Sequence, residues 1–138
     1  MNKLFINCDG GARGNPGPAA AAFVVKDLNG RLLYREGKFL GITTNNQAEY
    51  EALIMALNWA AETHPGDELV LFLDSQLVVN QMLGKFKIKV PEIIIKNRSA
   101  NKLIADKKIT VRQFIYVPRN VNYEADALVN ETLDINRF

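Results

Sequence analysis

The sequence predicts an α/β fold: a mixed five-stranded sheet, three antiparallel strands then two parallel ones, flanked by helices. Three observations predict it. Apolar runs of strand length recur five times, the hydrophobic period changes from two to about 3.6 after residue 45, and tight turns join the first three runs whereas helical segments separate the later ones.

Residues 3 to 8, KLFINC, alternate, with Leu4, Ile6 and Cys8 on one face and Phe5, Asn7 and then Asp9 on the other. The stretch DGGARGNPGPAAAAF follows, where four glycines and two prolines mark a turn that closes the strand at Asp9. Residues 19 to 27 and 31 to 39 read as two further strands joined by the Asp27-Leu28-Asn29-Gly30 turn. NNQAEYEALIMALNWAAETHPG carries an apolar helical stripe of Leu53, Leu57, Ala60 and Ala61 that Pro65-Gly66 stops. ELVLFLD, residues 68 to 74, is a continuous apolar run, as in a central strand buried on both faces, and following a helix it runs parallel to the first strand. Residues 75 to 83 read as a short helix, 91 to 106 as a basic helix, ITVRQFIYV as the last strand, and VPRNVNYEADALVNETLD as loop and helix.

At 138 residues, 48% hydrophobic and 23% charged, the chain is expected to form one domain over residues 1–138, with a core that needs no disulfide. Its one cysteine, Cys8, agrees with a reducing, cytoplasmic setting, and no apolar run has the length of a membrane span or the pattern of a signal peptide. The net charge of +2 conceals segregation: between Gly84 and Arg119 lie 10 of the 17 basic residues and only 2 of the 15 acidic ones. Such a segment is either a solvated face or a surface for a polyanion such as nucleic acid.

Four carboxylates stand where ordinary structural roles explain them poorly. Asp9 and Asp74 end strands, where α/β sheets place their sites, although either could cap a helix. Glu49 lies four residues before Leu53 and seven before Ala56, over the buried side of the most apolar helix. Asp126 falls in the first turns of the last helix, where Asn122 already serves as N-cap. Clustered carboxylates drive one another toward protonation, and a divalent cation reverses that tendency. Oxygen-only ligands favour Mg²⁺ or Mn²⁺ over zinc, and two such ions suit phosphodiester hydrolysis. His64, before Pro65-Gly66, reads as a helix C-terminal residue, which leaves a serine or cysteine nucleophile without a base. No nucleotide-binding glycine motif competes.

At these residues the sequence resembles type 1 ribonuclease H, particularly its compact members. DGGARGNPGPAAAAF, TNNQAEYEAL, FLDSQLVVNQM and VPRNVNYEADALVN carry the resemblance, in the family's order, over nearly the whole chain. It implies a ribonuclease H-like fold and a monomeric endonuclease that cuts the RNA strand of RNA/DNA hybrids with two Mg²⁺ ions, or Mn²⁺, leaving 5′-phosphate and 3′-hydroxyl ends. It implies that Asp9 and Asp74 bind both ions and that Glu49 and Asp126 each help one. It places contacts to RNA 2′-hydroxyls at Gly10, Gly11, Asn46 and Gln76, and a DNA-phosphate pocket at Asn15 and Thr44, with Asn45 reaching toward the DNA. Bare backbone and neutral amides suit a 2′-hydroxyl, which both donates and accepts. Asn45 or Asn46 is also expected to cap the helix that carries Glu49.

Two departures from the family pattern stand out. Where many members carry a loop histidine, this chain has Arg119, an always-protonated group that can stabilise phosphate but cannot act as a base. The tryptophan-rich basic protrusion of larger relatives is missing, Trp59 reads as core, and Lys85, Lys87 and Lys89 remain to grip the DNA strand by neutralising phosphates. Two alternatives stay open: a variant that also cleaves double-stranded RNA, and a nucleic-acid-binding module on this fold that has lost catalysis.

Overall fold

The structure, a computed structural model, describes residues 2–136. Its elements follow the order β1 (Lys3–Ala12), β2 (Gly17–Lys26), β3 (Leu32–Thr43), α1 (Asn45–Thr63), β4 (Glu68–Leu73), α2 (Gln76–Met82), α3 (Pro91–Asp106), β5 (Thr110–Tyr116) and α4 (Tyr123–Ile135). The five strands form one sheet in the order β3-β2-β1-β4-β5. β1 pairs antiparallel with β2 and parallel with β4, and β4 pairs parallel with β5, the predicted mixed topology.

One expectation is corrected. The first strand does not close at Asp9: Asp9, Gly10, Gly11 and Ala12 face Ala22, Ala21, Ala20 and Ala19 across the β1–β2 ladder. The parallel pairing with β4 does stop there, at Cys8 opposite Leu73. Gly10 and Gly11 read as part of a turn because they lack side chains, yet each has a strand partner. The true connection begins at Arg13, whose N–H donates to the Pro18 carbonyl at 2.8 Å.

Both faces of the sheet are covered, by different means. On one, Leu4, Ile6, Cys8, Phe23, Val25, Leu69, Leu71 and Leu73 pack with Leu53 and Leu57 of α1, Val78 of α2 and Ile93 of α3. On the other, Ala20, Ala22 and Val24 meet Ala125, Leu128, Val129 and Leu133 of α4. The alanine run in β2 is thereby accounted for: Ala21 looks toward the first layer and Ala20 and Ala22 toward α4, so methyl groups on both sides let helices approach closely. Gly37 of β3 continues this contact, since a methyl there would lie 2.2 Å from Thr132 Oγ1. Among the described residues, no helix is long and apolar enough to cross a membrane.

Candidate active site

Strand alternation sends Cys8 into the core and turns Asp9 to the opposite face, at the point where β4 has ended and Asp74 follows it. Gly10 then points back toward α1. A methyl on Gly10 would sit 2.2 Å from the Ala48 carbonyl carbon and 2.5 Å from the Glu49 nitrogen, so only glycine lets the first turns of α1 lie against β1. That contact carries Glu49 across the sheet edge to Asp9. Glu49 and Asp9 are the buried carboxylates among the described residues, at 6% and 2% exposure.

Asp9, Glu49 and Asp74 each offer an oxygen, and these atoms lie within 4.8 Å of one another. Asp126, in the first turn of α4, stands outside that triangle but close enough for its charge to raise the Asp9 carboxyl further. Asp74 is free of the helix-capping role, because Ser75 Oγ accepts the Val78 N–H at 3.2 Å and caps α2 itself.

Burial, and then the charge of Asp74, push the Asp9 carboxyl up to about 8 from an ordinary 3.8. Glu49 is raised well above the usual carboxylate range by burial first and then by Asp9 and Asp74, against a smaller opposing effect of the Gly10 backbone N–H. Burial, with the surrounding acids adding to it, likewise keeps the Cys8 thiol protonated. Asp9 Oδ1 and Glu49 Oε2 are buried without a hydrogen-bond partner among the described residues. Two orphaned acceptors among clustered acids are costly unless a cation meets them, and an all-oxygen donor set fits a hard divalent ion. The residues present therefore fit a metal ion.

A groove of about 310 Å³ opens beside the cluster, lined by Asp9, Gly11, Arg13, Asn45, Arg119 and Asp126 among others. Arg119 thus shares a surface with two of the acids. Asn15 and Asn45 form a clasp at its edge: Asn45 Oδ1 accepts the Ala12 N–H at 2.8 Å, and Asn15 Oδ1 accepts the Asn45 N–H at 3.0 Å. Both residues are exposed, and among the described residues their amide NH₂ groups have no acceptor and can donate outward. The expected capping of α1 by Asn45 or Asn46 is corrected, because Thr44 accepts the Gln47 N–H at 3.3 Å and takes that place. Its hydroxyl hydrogen remains available. Asn46 and Gln76 are exposed at the starts of α1 and α2. Lys85, Lys87 and Lys89 lie exposed between α2 and α3, outside the groove.

Other expectations fall into place away from the site. His64 pairs with Asp67, its Nδ1 3.2 Å from a carboxylate oxygen, and lines a cavity of about 640 Å³ at the amino end of β1. That cavity is the larger one, but the clustered acids are at the other end of the strand. Trp59 packs with Phe23 and Tyr34. Lys96 of the basic helix is spent on Glu51.

Two residues escaped the sequence reading. Arg13 bridges from the β1–β2 connection to Asp134 on α4 at 2.8 Å. Asn122 occupies the N-cap position of α4 but makes no side-chain cap bond, a correction to the capping role expected of it. Its side chain turns inward, toward Asn7, Cys8 and Asp74. Asn7 was the available signal: a polar residue on a strand face between Phe5 and Asp9 needs a partner.

A mixed sheet with acids gathered at the carboxyl end of its central parallel strands defines a ribonuclease H-like protein. A family profile described as reverse transcriptase-like matches residues 7–132. Ribonuclease HI of Halobacterium salinarum is 43% identical over 96% of this chain and 65% of its own length. The bifunctional protein Rv2228c of Mycobacterium tuberculosis is 38% identical over 96% of this chain and 36% of its own length. The chain thus spans less than two thirds of these curated relatives. The crystal structure of LC11-RNase H1 in complex with an RNA/DNA hybrid matches with a TM-score of 0.92 at 38% identity, covering 96% of this chain and 98% of that one. The chain belongs to the type 1 ribonuclease H family.

Proposed function

We propose that the chain is a metal-dependent endonuclease that hydrolyses the RNA strand of RNA/DNA hybrids, leaving 5′-phosphate and 3′-hydroxyl ends, and that residues 1–138 act as one catalytic domain. The observation that carries this reading is the convergence of buried Asp9 and Glu49 with half-buried Asp74, two carboxylate oxygens being unpartnered among the described residues, beside an open groove. The hybrid bound to LC11-RNase H1 supports the choice of substrate.

Asp9, Glu49, Asp74 and Asp126 would hold two Mg²⁺ or Mn²⁺ ions. Bound there, the ions would promote deprotonation of the attacking water and offset charge on the phosphate and leaving oxygen. The chain's own residues do the rest. Burial and neighbouring charge favour the protonated forms of Asp9 and Glu49, so loading the site with a cation is accompanied by proton release. Gly10, Gly11, Asn46 and Gln76 offer backbone and neutral amides to 2′-hydroxyls. Asn15, Thr44 and Asn45 present uncharged donors to the other strand's phosphate. Arg119, on the groove wall, stabilises phosphate charge or helps product leave.

The test is cleavage of one labelled strand in matched RNA/DNA, RNA/RNA and DNA/DNA duplexes with Mg²⁺, Mn²⁺ or chelator, beside Asp9→Asn. Metal-dependent cutting of RNA in the hybrid, lost in the variant, is the expected outcome, and the RNA/RNA arm reports whether double-stranded RNA is also cut. Hybrid left intact with either metal would overturn the reading in favour of a binding module.

A further inference from the structure

We propose that Asn122 is a positioning residue of the metal centre: its side-chain amide holds the Asp74 carboxylate, and Asn7 fixes which way that amide points. The inference rests on the reading that the clustered acids bind a cation.

Asn122 is 1% exposed although it opens a surface helix. Its backbone carbonyl accepts the Asp126 N–H at 3.1 Å, so it starts α4 through the main chain, and the side chain is left for another task. The amide is then fully used. Its Oδ1 accepts from Asn7 Nδ2 at 2.9 Å, and its Nδ2 donates to the Cys8 carbonyl at 2.8 Å and to Asp74 Oδ2 at 3.2 Å. One side-chain amide, accepting from Asn7 and donating to the Cys8 carbonyl and Asp74, thus links β1 directly before Asp9, the residue that follows β4, and the start of the helix carrying Asp126. These are the elements that bring three of the four acids together.

The chemistry calls for an amide. Asp74 faces neighbouring negative charge, so its rotamer is not self-supporting when the site is empty. A donor on one carboxylate oxygen fixes the plane of the group and hence the position of the other oxygen. A carboxylate at residue 122 would add repulsion, an apolar side chain would remove the donor from both the Cys8 carbonyl and Asp74 Oδ2, and a hydroxyl has one hydrogen for two acceptors. Asn7 supplies the remaining constraint. By donating to Oδ1 it turns the NH₂ end toward the two acceptors; the flipped amide would present oxygen to both. Outer hydrogen bonds of this kind commonly change metal affinity by about 10- to 100-fold.

Neutral, similarly sized substitutions test this without altering the charge at the centre. Mn²⁺ binding is measured by calorimetry on the wild-type protein, Asn122→Leu and Asn7→Leu, together with thermal unfolding and hybrid cleavage. Both variants are expected to bind Mn²⁺ about 10- to 100-fold more weakly, with kcat reduced and KM for the hybrid little changed. A purely structural role would lower the melting temperature and leave Mn²⁺ affinity of the folded protein intact, and that result would overturn the proposal. Should Asn122→Leu fail to fold, Asn7→Leu decides by the same two outcomes. Wild-type protein that binds Mn²⁺ but leaves hybrids uncut would refute the nuclease reading alone, because the affinity comparison still judges Asn122. Wild-type protein that binds no Mn²⁺ would overturn both.

Discussion

A methyl group on Gly10 would meet the Ala48 carbonyl at 2.2 Å, whereas on Gly11 its nearest neighbour would be Val129 Cγ1 at 3.9 Å. Gly10→Ala is therefore expected to force α1 away from β1 at a cost of about 1–3 kcal/mol and to weaken metal binding by displacing Glu49. Gly11→Ala is expected to unfold like the wild type and, on the proposed reading, to raise KM for a hybrid, since its methyl group would stand in the groove assigned to the RNA strand. Urea unfolding and steady-state kinetics on the pair separate the two roles. At Asp9, whose carboxyl titrates near 8 when folded and near 3.8 when unfolded, the folded chain retains a proton across that interval which the unfolded chain has released. In chelator, this group's penalty is absent below the lower value, grows as pH rises and is complete above the upper one. Asp9→Asn removes it, so the variant should melt above the wild type at pH 8 and the difference should close toward pH 4. A gap that does not vary with pH would contradict the raised titration. Excess Mg²⁺ should stabilise the wild type and not the variant.

The clasp between the β1–β2 connection and α1 works as a unit. Asn45 holds Ala12 N–H and Asn15 holds Asn45 N–H, so loss of either amide frees the same segment. Asn15→Ala and Asn45→Ala are each expected to raise KM several-fold, and the double variant should be little worse than the more damaging single one; additive effects would mean that the two act separately. The elements themselves were mostly legible in the sequence. Period and punctuation delimit α1 and α3, and a carboxylate over the apolar side of α1 marks Glu49 because burial of an acid needs compensation. What stayed hidden depends on partners distant along the chain. Asn122 reads as a cap because capping is local, yet its contacts lie 114 and 48 residues away. The continuation of β1 through Gly10 and Gly11 was hidden for a related reason: glycine has no side chain to alternate, and only the facing alanines of β2 reveal the strand.

For the whole molecule, charge outside the groove governs encounter with a polyanion. Of the segment from Lys85 to Arg119, Lys96 and Lys102 are spent on Glu51 and Asp106, whereas Lys85, Lys87 and Lys89 are exposed and make no ion pair among the described residues. If each neutralises one phosphate, replacing all three by glutamine should flatten the plot of log affinity against log salt by about 2–3 in slope, with kcat unchanged in saturating hybrid. An unaltered slope would place the hybrid elsewhere. The spread of the acids along the chain, from Asp9 in β1 to Asp126 in α4, has a consequence for synthesis. A nascent chain ending before Asn122 can align β1 and β4, but it lacks one acid and leaves Asp74 without the Asn122 amide. On the proposed reading, a nuclease made on a machine built largely of RNA is thus assembled only after its last helix has emerged.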